Sequence, residues 1–273
     1  MSDGRSRDRL AGLSGDFSSL LQQRYSRQLL LPGFGFDGQE KLRAATALVV
    51  GAGGLGCAAS QYLVAAGIGC LVLVDFDTVE LSNLQRQILF TEADIGHAKA
   101  RSAVARLQEL NPHTDLHAID QRLDDEALRE QIATAAVVLD CSDNLATREQ
   151  LNRLCWQTKI PLVSGAAIRM EGQLSVFPMR DADPCYQCFS HRFGEQVLSC
   201  MEAGVLAPVV GIIGNLQALE AIKVIADVGQ LAAGKVLLFD GAHGEWHNFA
   251  LHKWVDCPVC GDAAQGELVG GTS

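Results

Sequence analysis

The segment Ala45-Thr-Ala-Leu-Val-Val-Gly-Ala-Gly-Gly-Leu-Gly56 decides the fold of this 273-residue chain. Its first half is a short apolar run that predicts a buried strand, and a helix pattern of small residues follows over residues 57–66. Gly51, Gly53 and Gly56 stand between the two in the spacing G-x-G-x-x-G. Glycine permits the tight turn and lets the backbone approach a phosphate, which the N–H groups at the start of the next helix can bind.

An acidic residue ends the second predicted strand, Cys70-Leu-Val-Leu-Val-Asp75. Asp75 stands 19 residues after Gly56, where a carboxylate can accept hydrogen bonds from ribose hydroxyls. Together these features predict a nucleotide site; the alternative is a glycine turn that serves tight packing alone. A nicotinamide-dependent dehydrogenase would share them, but the sequence shows no substrate domain or proton-transfer group of that kind.

Strand and helix patterns alternate through the first 165 residues, which predicts a parallel sheet with helices on both faces. The later strand patterns, at residues 173–177, 235–240 and 245–251, look antiparallel or mixed. A long apolar helix at 207–226 contains several polar residues, so we interpret it as buried and not as a membrane span. The predicted fold class is α/β: a Rossmann-like, doubly wound, mostly parallel sheet with antiparallel C-terminal strands.

Charge and composition narrow the classes of partner. The 32 acidic and 22 basic residues give a net charge of −10, which argues against nucleic acid or an acidic membrane as a partner. No segment has the apolar core of a signal peptide, so we expect a cytoplasmic protein. We expect one domain over residues 22–261, with a flexible N-terminal tail at 1–21 and a loose C-terminal tail at 262–273.

Several charged residues follow the predicted strands. Arg86 and Lys99 come after the second strand, Asp143 follows the fourth, and Arg27 precedes the first. Cations offset the charge of a triphosphate and a carboxylate can hold Mg²⁺, so the set suits phosphate chemistry. Each cation could instead be a solvated surface charge, and Asp143 could instead cap the helix that begins near Asn144.

Four of the nine cysteines form two C-x-x-C pairs, Cys185–Cys188 and Cys257–Cys260, separated by 68 residues. Four thiolates in tetrahedral geometry suit a structural Zn²⁺ without an open position. The predicted metal therefore joins the tail of the chain to its middle, and its binding energy would contribute to folding. Cys57, Cys70, Cys141 and Cys155 stand in apolar surroundings and are predicted to be core thiols.

Taken together, these motifs resemble the ubiquitin-activating-like adenylyltransferases, the MoeB/ThiF/HesA family, over about residues 22–261. The segments that carry the resemblance are Arg24-Tyr-Ser-Arg-Gln28, the glycine loop, Asp75-Phe-Asp77, Ser82-Asn-Leu-Gln-Arg-Gln87, Lys99, Asp140-Cys-Ser-Asp-Asn144 and the cysteine pairs. Residues 161–173 and 202–208 look more like members of the molybdenum cofactor pathway than like thiamine-pathway members.

The resemblance implies a reaction with Mg·ATP and a small ubiquitin-like sulfur carrier. The carrier's C-terminal Gly-Gly carboxylate attacks the α-phosphate, pyrophosphate leaves, and the acyl-adenylate is later converted to a thiocarboxylate. The same chemistry could serve a thiamine-pathway or tRNA-thiolation carrier. A nucleotide-binding scaffold without turnover is the alternative from another class. We expect a separate persulfide protein to donate the sulfur, because the sequence has no added sulfur-transfer domain.

The resemblance also implies roles for individual residues. Gly54 approaches the nucleotide and Asp75 binds the ribose, while Arg86 and Lys99 contact phosphates and Asp143 binds Mg²⁺. The remaining predicted nucleotide contacts are Ser82, Asn83, Leu84, Gln85 and Asn144. Arg27 reaches the site of the other subunit in a homodimer.

The sequence does not decide two features of the C-terminal half: where the carrier docks and what Cys200 does. Residues 166–261 should hold the zinc and dock the carrier, on an apolar surface that the sequence does not locate. Cys200 falls in the region where some relatives carry a cysteine that is covalently loaded with the carrier. Cys200 is therefore either a covalent site or a bystander.

Overall fold

The computed structural model describes residues 16–191 and 203–261. Helices α1 (Asp16–Arg24), α2 (Ser26–Leu29) and α3 (Gly35–Ala44) come before the first strand. The alternating part comprises β1 (Thr46–Val50), α4 (Gly54–Ala66), β2 (Cys70–Val74), α5 (Lys99–Leu110), β3 (Asp115–Ile119), α6 (Asp125–Thr134), β4 (Val137–Asp140) and α7 (Leu145–Thr158). The rest comprises β5 (Leu162–Ile168), β6 (Glu171–Phe177), α8 (Tyr186–Ser190), α9 (Ala207–Ala226), β7 (Lys235–Asp240) and β8 (Glu245–Ala250).

All eight strands form one sheet in the order β3-β2-β1-β4-β5-β6-β7-β8. The first five pair in parallel, and β5 to β8 pair antiparallel. The predicted fold class is therefore confirmed, and the antiparallel strands extend the parallel sheet without a break.

The core lies on both faces of the sheet because alternate residues of a strand point to opposite sides. Ala47 and Val49 of β1 belong to one buried cluster, which includes residues of α4, α5 and α9. Leu48 and Val50 belong to a second cluster, which includes residues of α6 and α7. This arrangement explains why β1 and β4 read as continuous apolar runs: each is covered on both sides.

Helix α9 is long and apolar enough to cross a membrane by length and composition. In the structure it packs into the core, with Val209, Val210 and Ile213 all at most 5% exposed. The side chain of Gln217 donates hydrogen bonds to the carbonyls of Asp140 and Val163, at 2.7 and 3.2 Å. The prediction of a buried helix is confirmed.

Strand β5 is longer than the predicted 161–164. It pairs with β4 only as far as Ser164, but it pairs with β6 along its whole length, from Leu162 opposite Phe177 to Ile168 opposite Glu171. Residues 165–167 are Gly-Ala-Ala, which carry little strand propensity, so the pairing partner and not the local sequence extends the strand.

Candidate nucleotide site and metal centre

The candidate nucleotide site lies where the strand order reverses between β1 and β4, at their carboxyl ends. The loops after these two strands touch at this point: a Cβ added to Gly51 would stand 2.6 Å from the carbonyl oxygen of Cys141. Gly51 also has φ +101°, a conformation that favours glycine. Ligands of open α/β sheets bind in the crevice outside such a switch point.

The other glycines of the loop have different neighbours. A Cβ on Gly56 would stand 1.8 Å from the Gly51 carbonyl oxygen, and one on Gly54 would stand 2.8 Å from Val210 Cγ2. Apart from its neighbours in the chain, a Cβ on Gly53 would have one atom of the described residues within 4 Å, Gln87 Nε2 at 3.9 Å. Gly51, Gly54 and Gly56 therefore permit close packing, whereas Gly53 faces open space.

The start of α4 is open to an anion. Gly53 is its N-cap residue, and no side chain caps the helix. The N–H groups of the first helical turn have no partners inside the helix, and the helix dipole places partial positive charge there. Gly54 is the first residue of the helix, so its predicted approach to a nucleotide fits this geometry.

The carboxylate of Asp75, just after β2, is hydrogen-bonded to the glycine loop. It accepts hydrogen bonds from the N–H groups of Ala52 at 2.6 Å and Asp77 at 2.9 Å, and the residue is 8% exposed. Burial raises the pKa of Asp75, and the two backbone hydrogen bonds and Lys99 oppose that rise. Both oxygens already have one protein donor each, so ribose binding would use their remaining lone pairs.

Arg86 and Lys99 lie near the first turns of α4. Lys99 Nζ forms an ion pair with Asp77 Oδ2 at 3.1 Å, and Arg86 Nη1 donates to the Ser82 carbonyl at 3.0 Å. Burial raises the pKa of Cys57 in α4 to about 12, and the electrostatic influence of both cations opposes the rise. The structure thus brings Asp75, Arg86 and Lys99 together around one helix terminus.

The remaining predicted contacts of this segment lie on a 3₁₀ turn at Leu81–Asn83 and just after it. Asn83 is 7% exposed and accepts a hydrogen bond from the Glu80 N–H at 3.3 Å. Ser82 and Gln85 are exposed, and Leu84 packs partly against the core. Their contact with a nucleotide stays a prediction.

The structure of the loop after β4 excludes one of the two predicted roles of Asp143, that of helix N-cap. The helix cap of α7 is Asn144, whose Oδ1 accepts a hydrogen bond from the Thr147 N–H at 2.9 Å. Asp143 is exposed, and its carboxylate has no partner among the described residues. The cap prediction for Asp143 is therefore wrong, and its oxygens are available to a cation. The Oδ1 of Asn144 is engaged by the cap, which leaves its amide nitrogen for any contact with a ligand.

Buried polar groups hold this loop in place. Asp140 is fully buried and accepts hydrogen bonds from the Ser142 hydroxyl at 2.6 Å and the Ser164 hydroxyl at 2.7 Å. Arg148, in the first turns of α7, donates to the carbonyls of Ser142 at 2.8 Å and Gly165 at 3.2 Å. Arg148 was not predicted, because an arginine near the start of a helix carries no distinctive pattern.

Arg27 lies far from this site within one chain. It is exposed on α2, and its neighbour Gln28 hydrogen-bonds to the carbonyl of Ala66 at 2.9 Å. Ala66 ends α4, a helix of 13 residues and so about 20 Å long, whereas the glycine loop precedes its start. Arg27 of the same chain therefore does not join the other site residues.

The four cysteines of the two C-x-x-C pairs converge, as predicted. Sγ–Sγ distances are 4.0 Å for Cys185–Cys188, 3.7 Å for Cys185–Cys257 and 3.3 Å for Cys188–Cys260. All four residues are at most 1% exposed. Tetrahedral zinc with bonds of about 2.3 Å needs sulfur atoms about 3.8 Å apart, so the cluster fits this metal. The fit is to a closed site, without a position for a substrate.

Donors around the cluster suit thiolates. Asn152 Nδ2 donates to Cys185 Sγ at 3.5 Å, and the Trp254 N–H donates to Cys188 Sγ at 3.4 Å. Hydrogen bonds with Cys185 and Cys260 lower the pKa of Cys257 to about 6, and the hydrogen bond with Cys188 opposes the fall. Such outer contacts orient metal ligands. Asn152 was not anticipated, because a single Asn inside a helix pattern gives no metal-site signal.

The other cysteines divide into three kinds. Cys57, Cys141 and Cys155 are buried, as predicted for core thiols. Cys70 is only half-buried: it packs against one of the buried clusters and also lies within 4.8 Å of the ligand atoms of the exposed Asp115 and His117, so it lies at the edge of the core and not inside it. Its strand begins with Cys70, at the end of the sheet opposite the candidate nucleotide site. Cys200 lies outside the described residues.

Comparison with known proteins identifies the family of the chain. The ThiF family profile matches residues 25–259. A molybdopterin-synthase adenylyltransferase of Salmonella typhimurium is 52% identical over 238 residues, 87% of this chain and 96% of that protein. The sulfur carrier protein ThiS adenylyltransferase of Escherichia coli is 48% identical over 238 residues, 87% of this chain and 94% of its own.

A solved structure shares the fold. The crystal structure of E. coli MccB with ATP has a TM-score of 0.76 and 24% identity, over 87% of this chain and 73% of that chain. At this identity the likeness concerns the fold alone. The family profile and the sequence relatives carry the assignment, and they confirm the predicted resemblance: the chain belongs to the ThiF family.

Proposed function

We propose that this protein is an adenylyltransferase that uses ATP to activate the C-terminal carboxylate of a small ubiquitin-like sulfur carrier for molybdenum cofactor biosynthesis. The observation that carries the proposal is the uncapped start of α4 at the strand switch point, with Arg86 and Lys99 beside it. Asp143 follows the adjacent strand, and its exposed carboxylate has no partner among residues 16–191 and 203–261. The name of the Salmonella relative supports the carrier and the pathway.

The reaction needs little covalent chemistry from the chain. A carboxylate oxygen of the carrier's terminal glycine forms a bond to the α-phosphorus of ATP. The bond from that phosphorus to the bridging oxygen breaks, and pyrophosphate leaves with the electron pair. The substrate supplies its own nucleophile, so the chain contributes positioning and charge stabilisation. The α4 N–H groups, Arg86 and Lys99 hold phosphate oxygens in this scheme, and Asp75 holds the ribose.

The metal roles differ between the two sites. Asp143 would hold Mg²⁺, which neutralises triphosphate charge when it is bound. Cys185, Cys188, Cys257 and Cys260 would hold a structural Zn²⁺, and the closed thiol cluster supports that assignment. The zinc would stabilise the fold and take no part in the reaction.

We propose a homodimer in which Arg27 of one subunit completes the site of the other. The distance of Arg27 from the glycine loop within one chain supports this arrangement. Arg27→Ala and Asp143→Asn should each be inactive alone. After mixing and reassembly, about a quarter of the sites would combine the two intact residues, because half of the dimers are mixed and each has one intact site. No recovery on mixing, with mixed dimers shown by differential tagging, would refute the shared site.

ATP–pyrophosphate exchange by the zinc-loaded protein tests the proposed reaction. We expect exchange with a molybdopterin-pathway carrier that ends in Gly-Gly, and none with the same carrier lacking its last glycine. Exchange with a thiamine-pathway carrier alone would keep the enzyme and change the pathway. The 48% identity to a ThiS adenylyltransferase favours that carrier as the second candidate.

The later steps complete the proposal. A separate persulfide protein would convert the adenylate to the thiocarboxylate, and the whole sequence would occur in the cytoplasm. Cys200→Ala is expected to leave pyrophosphate exchange unchanged, because adenylation precedes any covalent loading. Loss of exchange in that variant would place Cys200 in the first step.

A further inference from the structure

Gln87 is the last residue of the segment 82–87, which also contains Arg86, and it takes no part in the predicted nucleotide contacts. Its side chain is 3% exposed, and its Oε1 has no hydrogen-bond partner in the described part of the chain. A buried polar atom without a partner is costly, because it has lost water and gained nothing in return. An acceptor of this kind is completed only by a donor, so a phosphate oxygen can pair with Gln87 only through the amide nitrogen of the same side chain.

The amide of Gln87 borders the open side of the glycine loop. Its Nε2 lies 3.9 Å from a Cβ placed on Gly53, the N-cap of α4, and no other atom of the described residues beyond the neighbours of Gly53 comes within 4 Å. On the other side of the turn, Val210 and the Arg86 carbonyl close the space around Gly54. Any group that enters beside Gly53 therefore meets both the unpaired N–H groups of α4 and the amide of Gln87.

We propose that Gln87 is a further phosphate-binding residue of this site, with its amide N–H₂ donating to a phosphate oxygen of the nucleotide held beside Gly53. The inference rests on the proposed function and adds a neutral donor to the charged groups already placed there. The amide nitrogen already lies beside Gly53, and no hydrogen bond to a described residue fixes the amide oxygen, so the N–H₂ can donate to the ligand without loss of a bond made by that oxygen.

Two substitutions separate this role from a structural one. Gln87→Leu keeps most of the volume and removes the unpartnered amide, so the free energy of unfolding should stay the same or rise. Its KM for ATP in pyrophosphate exchange should rise about tenfold, because a hydrogen bond to a charged phosphate is lost. Gln87→Glu places a negative charge beside the phosphate and should raise KM further.

The matched control is Ser60→Ala. Ser60 lies later in α4, is fully buried, and has an Oγ that is likewise without a partner in the described chain. This variant should keep the KM of the wild-type protein. A second readout needs no carrier: the rise in Tm on adding Mg·ATP should shrink in both Gln87 variants and remain in Ser60→Ala.

The outcomes distinguish the inference from the function on which it rests. A wild-type KM and a wild-type ATP-induced rise in Tm for Gln87→Leu would overturn the role of Gln87. Loss of intrinsic stability in that variant with an unchanged ATP-induced rise would do the same, because it would show a packing role. A wild-type protein without exchange would refute the adenylation proposal, and the Tm readout would still decide whether Gln87 contacts the nucleotide.

Discussion

The cysteine cluster and the strand-end crevice are both built from residues far apart in sequence, but they differ in how complete they are. In the cluster, all four sulfur atoms face one another and are buried. In the crevice, the start of α4 has no cap, Asp143 has no partner in the described chain, and the amide oxygen of Gln87 is unpaired. The cluster would need only an ion to be complete, whereas the crevice leaves polar groups of the described chain without partners, as a site for a polar ligand would require.

This difference predicts which property each region controls. A closed site contributes its binding energy to folding, so damage to it should lower stability. An open site gains its interactions in the substrate complex, so damage to it should lower activity and leave the fold intact. A variant of either region that lowers both stability and activity would contradict this distinction.

Cys185→Ser should have the largest effect on stability. Loss of one thiolate from a closed tetrahedral site should cost about 4 kcal/mol or more, because the other three ligands then hold the ion weakly. For a chain of this size that corresponds to a fall in Tm of roughly 10 °C. Metal analysis and thermal unfolding measure the two effects. Cys70→Ser, outside the cluster, is the matched control and should retain one zinc per chain; full zinc in Cys185→Ser would contradict the assignment.

Asp143→Asn should have the largest effect on activity. Removing a charge that acts on the reacting phosphates should lower exchange about 100- to 1000-fold. Zinc content and Tm should match the wild-type protein, because the Asp143 carboxylate makes no contact in the described chain. Asp125→Asn, which alters an exposed acid on α6, should keep activity. A fall in Tm of several degrees in Asp143→Asn would mean that this loop is part of the fold's stability.

Alanine substitutions of two adjacent glycines separate stability from ATP binding within the crevice. Gly54→Ala would place a Cβ 2.8 Å from Val210 Cγ2 and should destabilise the fold by about 1–3 kcal/mol. Gly53→Ala has room for the methyl group, so Tm should stay unchanged while the KM for ATP rises about tenfold. Chemical denaturation and pyrophosphate exchange separate the two. Wild-type ATP binding by Gly53→Ala would show that the phosphates lie elsewhere.

Much of the fold could be predicted because its signals are local. The apolar runs of β1 and β4 and the glycine turn after β1 are each readable within a dozen residues. The full length of β5 could not be read in this way, because residues 165–168 are a strand only by virtue of their pairing with β6. The burial of α9 was readable from its polar residues, but the partners of Gln217 on β4 and β5 depend on tertiary packing.

The site residues also divide into those with a local sequence signal and those that depend on tertiary packing. The cysteine pairs could be read from their spacing, since the chemistry of four thiols is specific. The roles of Asp143 and Asn144 could not be separated by sequence, because adjacent residues of similar capping ability compete for one helix start. Arg148 and Asn152 gave no signal, because each acts through contacts with residues in other segments. Side chains that support a site are visible only once the chain is folded.

Helix α7 connects the two regions and supplies the last prediction. It begins at the Asn144 cap beside Asp143, and its buried Asn152 contacts Cys185 and the Tyr186 N–H about two turns later. Asn152→Ala should weaken zinc binding about tenfold by removing a donor to a ligand. Competition with a chelator measures this loss.

Activity of the zinc-loaded Asn152→Ala protein tests whether the regions are independent. Exchange should stay within about twofold of wild type, because the Asn144 cap and the Arg148 contacts that hold the Asp143 loop remain. Gln150→Ala, on the exposed side of the same helix, should change neither zinc affinity nor exchange. A fall in exchange that follows zinc occupancy would show that α7 couples zinc binding at the cluster to activity at the crevice. The two regions would then not control stability and activity separately.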